Sequence, residues 1–223
     1  MKKVLFLAIG FLTFATSAHA LPSFVTSRGA FGGTDFIDWA QLGPSSTTVI
    51  TSPVNVTSNL GINAIASNPQ DFIRFDQGLG WGGNFANGDA LLFTNFGNGP
   101  MDIVFANPVS GAGAQIQADY FGNYTGYLNV YGSDGITLLA NYTENGVSNY
   151  FGDNSAIFMG VRDTVPDIGK IEFSVISETG YNDFAINRLD LNPVPEPNSF
   201  ALIGIGLAGI GLARSKFRRK KTD

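Results

Sequence analysis

Few side chains in this sequence of 223 residues are suited to catalysis. It contains no cysteine, and its single histidine, His19, lies in an N-terminal segment interpreted below as a signal peptide. Ser–His–Asp triads, Cys–His pairs and zinc sites built from nitrogen and sulfur ligands are therefore excluded from the remaining chain. Carboxylates, amides, hydroxyls, aromatic rings and a few basic side chains remain.

Paired carboxylates are the catalytic arrangement that this set still allows. A glycoside hydrolase needs two of them about 5 Å apart for retention, or about 6.5–9.5 Å apart for inversion. Glu144, Glu172 and Glu178 are candidates together with many aspartates, but no spacing singles out a pair. Glu172 is expected beside Lys170 as a surface ion pair. The sequence therefore predicts no catalytic residues and no enzyme activity.

Sugar binding is a second use for these residue types, because aromatic rings stack on sugar rings while amides bond to hydroxyls. Tyr127, Asn129 and Tyr131 alternate along one predicted strand, opposite Leu128 and Val130. Alternate residues of a strand share a face, so the first three form a sugar platform if that face is wet. The alternative, which the pattern favours, is cross-strand aromatic pairing that only stabilises the sheet.

Short segments of β character recur along the chain between turn signals. The body is rich in Gly, Asn, Ser, Thr, Phe and Tyr and poor in Leu, Lys and Glu, which disfavours helix and favours strands with tight turns. The predicted strands are 47–51, 72–75, 90–94, 102–106, 114–120, 126–131, 137–142, 156–161, 170–176 and 184–191. This spacing predicts an all-β, antiparallel β-sandwich of jelly-roll type.

Alternation within the strands predicts one buried and one wet face. Gln115, Gln117 and Asp119 are expected on the wet face of one strand, while Ile171, Phe173 and their alternate neighbours are expected in the core of another. The pair Asp134-Gly135 predicts a hairpin. The last strand changes phase, so a bulge near 187–188 is predicted to return all its apolar residues to the core.

A structural calcium ion is the candidate cofactor. Calcium takes six to eight oxygen ligands, several of them from carboxylates. A jelly roll brings its first and last strands together, which would allow acids from both ends of the domain to meet. The candidate ligands are Asp35, Asp38, Asp183, Asn187 and Asp190.

The two ends of the chain carry targeting signals. Lys2 and Lys3, an apolar run and the small residues Ala18 and Ala20 predict a signal peptide cleaved after Ala20; the alternative is an N-terminal membrane anchor. Segment 21–197 then holds five basic and seventeen acidic residues, a net charge of −12. Such a surface repels phosphate backbones, so no nucleic-acid partner is expected.

The C-terminus joins a proline-rich step, an apolar run and a basic block. Pro193, Pro195 and Pro197 stiffen an extended segment, and 200–213 carries no charge. The apolar run predicts a short transmembrane helix. The basic residues after it are expected to stay in the cytoplasm, and they are Arg214, Lys216, Arg218, Arg219, Lys220 and Lys221.

This order resembles the PEP-CTERM protein-sorting signal of Gram-negative bacteria, with Val194, Pro195, Glu196 and Pro197 as its motif. The resemblance implies recognition by an exosortase, a membrane-embedded cysteine transpeptidase, which removes the tail and passes the protein to the envelope surface or exopolysaccharide matrix. The alternative is an ordinary C-terminal membrane anchor. The body is similar, more loosely, to carbohydrate-binding-like jelly rolls that close on F-A-I-D-N/R-L. Asn187 stands where that pattern has an aspartate that helps to hold calcium.

The predicted organisation is a signal peptide (1–20), a β-sandwich (21–191), a linker with the motif (192–199), a transmembrane helix (200–213) and a cytoplasmic tail (214–223). The predicted function is an exported, non-catalytic surface or matrix protein, sorted at the inner membrane and associated with exopolysaccharide. The alternative is a carbohydrate-binding module with a defined glycan. A carboxylate-based glycoside hydrolase ranks third.

Overall fold

The computed structural model describes residues 21–45 and 48–193. Several predictions concern segments outside these residues: the signal peptide with Ala18 and Ala20, the motif 194–197, the apolar segment 200–213 and the basic tail 214–223. Thr47, the first residue of one predicted strand, also lies outside them. In the described part of the chain, no helix is both long and apolar enough to span a membrane.

Strands make up most of the described chain. In chain order they are Ser23–Val25 (β1), Asp35–Ile37 (β2), Val49–Ile50 (β3), Val54–Thr57 (β4), Asn63–Ser67 (β5), Phe72–Gln77 (β6), Gly80–Trp81 (β7), Ala90–Phe93 (β8), Met101–Val109 (β9), Gly111–Ala118 (β10), Gly122–Tyr131 (β11), Leu138–Ser148 (β12), Ile157–Arg162 (β13), Ile168–Ser177 (β14), Phe184–Ile186 (β15) and Leu189–Asn192 (β16). A single α-helical turn, Arg28–Phe31 (α1), and a 3-10 helix, Trp39–Leu42, interrupt them.

The strands form two sheets. The ten-stranded sheet follows the order β1-β13-β10-β15-β8-β6-β3, with β16 pairing both β10 and β2, and β7 pairing β6. The six-stranded sheet follows the order β12-β11-β14-β9-β5-β4. Among the described strands, every pairing is antiparallel except the short one between β6 and β7. The predicted antiparallel β-sandwich is confirmed.

The main core lies between the two sheets. Ala114 and Ile116 of β10 enter it from the larger sheet, and Leu128, Val130 and Phe173 enter it from the smaller one. All five side chains are fully buried. The period-2 alternation of these strands therefore identified their core faces correctly.

The outer face of the larger sheet is also covered, so one sequence-based expectation is wrong. Gln115 and Gln117, predicted on a wet face, are both buried. The Gln117 side-chain oxygen accepts from the Asn84 backbone N–H at 2.6 Å, and its amide donates to Ser148 Oγ at 2.7 Å. The Gln115 amide donates to the Ala156 carbonyl at 3.0 Å. Backbone groups of the covering loops thus hydrogen-bond to these two side chains in place of the water expected on this face.

A second apolar cluster lies beneath those loops. It contains Trp81, Phe85, Leu91, Phe93, Ala156 and Ala185. The indole of Trp81 lies 5.1 Å from the ring of Phe93 and 6.4 Å from that of Phe85, centroid to centroid. The Gly-rich segment that carries Trp81 and Phe85 therefore forms a lid on the larger sheet.

Two local predictions are confirmed. The segment 132–137 closes a hairpin between β11 and β12, and Gly135 adopts a φ of 68°, which glycine tolerates best. Ile186 faces Ile116 on β10 while Asp190 faces Gly113, so β10 spans three steps where its partner spans four. The extra residue is the predicted bulge between β15 and β16.

Candidate functional site

The outer face of the six-stranded sheet holds the predicted sugar platform. Tyr127, Asn129 and Tyr131 of β11 are half-buried there, while Leu128 and Val130 point into the core. β12 lies on one side of them and β14 on the other. The predicted division of this strand into two faces is therefore confirmed.

The polar groups of that platform are bonded mainly to one another. The Asn129 amide donates to Glu172 Oε1 at 2.6 Å, and Asn141 donates to the Asn129 oxygen. The Tyr131 hydroxyl donates to Glu172 Oε2 at 3.3 Å. Asn129 and Glu172 therefore already have protein partners where a sugar hydroxyl would have to compete.

Lys170 holds two carboxylates beside the platform. Its ammonium lies 3.9 Å from the centroid of the Tyr131 ring, 3.4 Å from Asp102 Oδ1 and 3.9 Å from Glu172 Oε2. The predicted Lys170–Glu172 surface pair is thus present. Burial raises the pKa of Asp102, with Lys170 opposing the shift. Burial also raises the pKa of the Tyr131 hydroxyl, and the Glu172 charge adds to the effect.

Asp102 was not singled out by the sequence, although it faces Glu172 directly across β9 and β14. Only the register of two strands far apart in the chain brings this pair together. Neither carboxylate lines the groove described below, and both contact Lys170. The arrangement is that of a surface cluster in which one lysine is shared by two carboxylates.

The second strand of the sandwich, β2, pairs with the last one, β16, so the candidates from the two ends of this domain lie on neighbouring strands. The calcium candidates on these strands nevertheless have protein partners. Asp35 accepts from Ser58 Oγ at 2.5 Å and from the Leu60 N–H at 2.9 Å. Asp38 caps the 3-10 helix by accepting from the Ala40 N–H. Asp35 and Asp38 therefore each accept hydrogen bonds from a loop or helix start that they stabilise.

Two further calcium candidates lie in an arginine-centred cluster. Asp190 lies 2.5 Å from Arg28 Nε and 3.0 Å from an Arg188 nitrogen. The Asn187 oxygen accepts from Arg28 Nη2 at 2.9 Å, and its amide donates to Asp89 at 2.8 Å. The guanidinium of Arg28 therefore bonds to two of the oxygen atoms proposed as calcium ligands.

The fifth candidate, Asp183, is buried and lies against Asp119. Burial raises the pKa of Asp119 to about 6, and the charge of Asp183 contributes to that shift. Such a pair favours a state in which the two carboxyl groups share one proton. In the described chain no three acidic, histidine or cysteine side chains are grouped as metal ligands. The five candidates do not form one site here, and calcium binding stays a prediction.

Exposed aromatic rings gather at one end of the sandwich. Tyr120 and Phe121 lie in the turn between β10 and β11, Tyr150 and Phe151 in the loop after β12, and Tyr181 in the turn after β14. Their exposed fractions range from 40% to 67%. Strand pairing places these connections together, since Gly122 faces Ser148 and Ala118 faces Phe184.

The rings contact one another in two groups. Tyr120 stacks on Tyr181 with centroids 4.5 Å apart and an interplanar angle of 21°. Tyr150 lies 5.9 Å from Phe121 and 5.0 Å from Phe151. No pattern in the sequence singled out Tyr150, Phe151 or Tyr181. Their signal was an aromatic beside Asn, Gly or Asp in a segment between two predicted strands.

An open groove of about 550 Å³ begins beside these loops and continues onto the outer face of the smaller sheet. It is lined by Asn123, Tyr124, Thr125, Asn145, Gly146, Val147, Ile176, Ser177 and Glu178. The Asn123 amide donates to Glu178 Oε1 at 2.6 Å. Amide, hydroxyl and carboxylate groups thus lie next to the exposed rings.

The segment directly after the last described strand matches a known sorting motif. β16 ends at Asn192, and residues 193–219 match the PEP-CTERM protein-sorting motif. The chain carries a PEP-CTERM sorting signal. This motif is the recognition signal of exosortase, and it implies export and processing at a membrane. The predicted resemblance of the C-terminus is confirmed.

Outside the sorting motif, the chain shows little similarity to known proteins. Among solved structures, the crystal structure of a DUF4465 family protein from Bacteroides caccae is similar, with 11% identity, a TM-score of 0.39, and coverage of 81% of this chain and 97% of that chain. None of the curated proteins compared with the chain matches it. The assignment of the sandwich therefore depends on the strand pairing itself.

Proposed function

We propose that this protein is a non-catalytic component of the cell surface or extracellular matrix, delivered there by exosortase and associated with exopolysaccharide. The observation that carries the proposal is the position of the sorting motif. It begins at residue 193, directly after the strand that closes the sandwich. Processing at this step releases the sandwich without breaking any of its strand pairs.

The composition of the exported segment supports a structural role. Its net charge of −12 favours a hydrated surface that resists aggregation. The carboxylates with perturbed pKa values have assigned partners: Asp102 contacts Lys170, and Asp119 contacts Asp183. The ion pair with Lys170 supports a structural role for Asp102, in keeping with a non-catalytic protein.

A carbohydrate-binding module is the second candidate function. It is favoured by the exposed rings at one end of the sandwich, since soluble proteins rarely leave such groups of aromatic side chains uncovered without a binding role. Both candidates share the same export route. They differ in whether a defined glycan is recognised.

The sorting part of the proposal is tested with two epitope tags, one in the exposed hairpin 132–137 and one after Asp223. In cells with exosortase, we expect the mature protein outside the inner membrane to keep the hairpin tag and to lose the C-terminal tag. Deleting exosortase, or replacing Glu196 with alanine, is expected to leave both tags on a membrane-bound protein. Glu144→Ala, which removes an acid from β12 outside the matched residues 193–219, is the matched control and is expected to be processed normally.

Retention of the C-terminal tag in the mature wild-type protein would contradict exosortase processing. It would favour the ordinary membrane anchor instead. Equal processing of wild type and Glu196→Ala would show that the motif is not what the enzyme recognises.

A further inference from the structure

We infer that the aromatic end of the sandwich is a binding site for a neutral polysaccharide. The site consists of the exposed rings of Tyr120, Phe121, Tyr150, Phe151 and Tyr181 together with the groove that starts beside them. The inference rests on the proposed function, because it names the polymer class that an exported surface protein would hold.

The shape and polarity of the rings suit a sugar. An aromatic side chain presents a flat apolar face, while a tyrosine adds a hydroxyl that can remain in water. The axial C–H groups of a pyranose form a flat apolar patch of similar size. Tyr150 and Phe151 are each more than half exposed and touch one another. They therefore offer ring faces to a sugar at little cost in conformational freedom.

Polar groups that can bond to sugar hydroxyls lie beside the rings. A sugar presents hydroxyls that both donate and accept hydrogen bonds. Asn123, Asn145 and Glu178 line the groove together with Thr125. The Asn123 amide donates to Glu178, and the Thr125 hydroxyl donates to the Asn145 oxygen. Both pairs are exposed, unlike the part-buried pairs of the sheet face, so a sugar hydroxyl can add to them. Amides supply donors and acceptors together, and a carboxylate accepts from hydroxyls. The groove is open, so a chain can cross it without a free end.

The charge of the groove and of the exported segment favours neutral polymers over anionic ones. Every residue that lines the groove is neutral except Glu178, which is acidic. The exported segment has a net charge of −12. An anionic polymer such as a uronate would meet repulsion with no compensating cation in the groove. A neutral polysaccharide carries no such penalty.

The test is affinity electrophoresis of the exported chain purified in detergent. Native gels contain hydroxyethyl cellulose, dextran, mannan or galactomannan as neutral polymers, and alginate as the anionic comparison. We expect retardation by at least one neutral polymer and none by alginate. Tyr150→Ala, Phe151→Ala and Tyr181→Ala are each expected to weaken the apparent affinity about two- to tenfold.

Ile136→Ala is the matched control. Ile136 is 81% exposed in the hairpin at the opposite end of the sandwich, so its loss removes a similar apolar surface away from the site. It is expected to leave retardation unchanged. Unchanged melting temperatures for all four variants would show that each still folds.

Retardation by none of the four neutral polymers overturns the inference, and so does equal retardation of wild type and the three ring variants. Loss of retardation only in Tyr127→Ala and Tyr131→Ala would also overturn it, because the site would then be the sheet face. Slow migration in gels without polymer that the ring variants restore to normal assigns the rings to self-association and also overturns the inference. Export and tag loss are measured separately. A correctly processed chain that binds no glycan refutes only this inference, whereas a chain retained in the cytoplasm refutes the proposed function.

Discussion

Replacing Asp119 with asparagine is expected to stabilise the folded domain at pH 8 and to have no such effect at pH 3.5. The pKa of Asp119 is about 6 in the folded protein against an ordinary value of 3.8, because burial and the neighbouring Asp183 disfavour its charge. Full conversion of this shift gives about 3 kcal/mol. Asp119 is only partly buried, so solvent screening reduces the expected gain to about 1.5 kcal/mol.

The sign of the expected stability change follows from proton binding at Asp119. Between pH 3.8 and about 6 the folded state binds more protons at Asp119 than the unfolded state does. The stability of the wild type therefore falls as the pH rises through this window and then levels off. Asparagine cannot ionise, so the variant escapes this loss while its amide still donates to Asp183.

The assay is thermal unfolding followed by near-ultraviolet circular dichroism at pH 3.5 and pH 8. For a domain of this size, about 1.5 kcal/mol corresponds to a rise of roughly 3–6 °C in Tm at pH 8. Asp134→Asn is the control of opposite sign, because hydrogen bonds from Thr137 and Ile136 lower the pKa of Asp134 to about 2. Its carboxylate stabilises the fold above pH 3.8, so that variant is expected to melt lower than wild type at pH 8. A lower Tm for Asp119→Asn at pH 8, or the same shift at both pH values, would refute the reasoning.

Three further predictions concern packing and metal binding. Phe85→Ala leaves a cavity in the second apolar cluster and is expected to lower the free energy of unfolding by about 3–5 kcal/mol in urea titrations. A loss below about 1 kcal/mol would contradict the assignment of the Gly-rich segment as a lid on the larger sheet. Gly146→Ala places a Cβ 2.5 Å from the Tyr124 ring and is expected to cost about 1–3 kcal/mol, measured the same way, whereas a neutral effect would show that the ring can move. The calcium hypothesis predicts a higher Tm with calcium than with chelator, and equal values would contradict it.

The sequence predicted most of the strands because each depends on local information. Alternation in β11 and β14 identified their buried faces, and Asp134-Gly135 identified the hairpin. The change of phase before Leu189 was sufficient to predict the bulge. These features follow from the period-2 geometry of a strand and the needs of a tight turn.

The remaining features depend on contacts between distant segments. Gln115 and Gln117 look like residues of a wet face, and their burial results from loops more than thirty positions away. The exposed rings come from three separate connections, so only the strand order brings them together. Two of the calcium candidates have a distant partner for the same reason, because Arg28 bonds to Asp190 and Asn187 from the other end of the domain sequence.

The most direct test of the sorting account is the intact mass of the protein recovered from outside the inner membrane. The account predicts one polypeptide that starts at Leu21 and ends near the motif 194–197, without the apolar segment 200–213 or the basic tail. A full-length polypeptide that keeps both Met1 and Asp223 would contradict it.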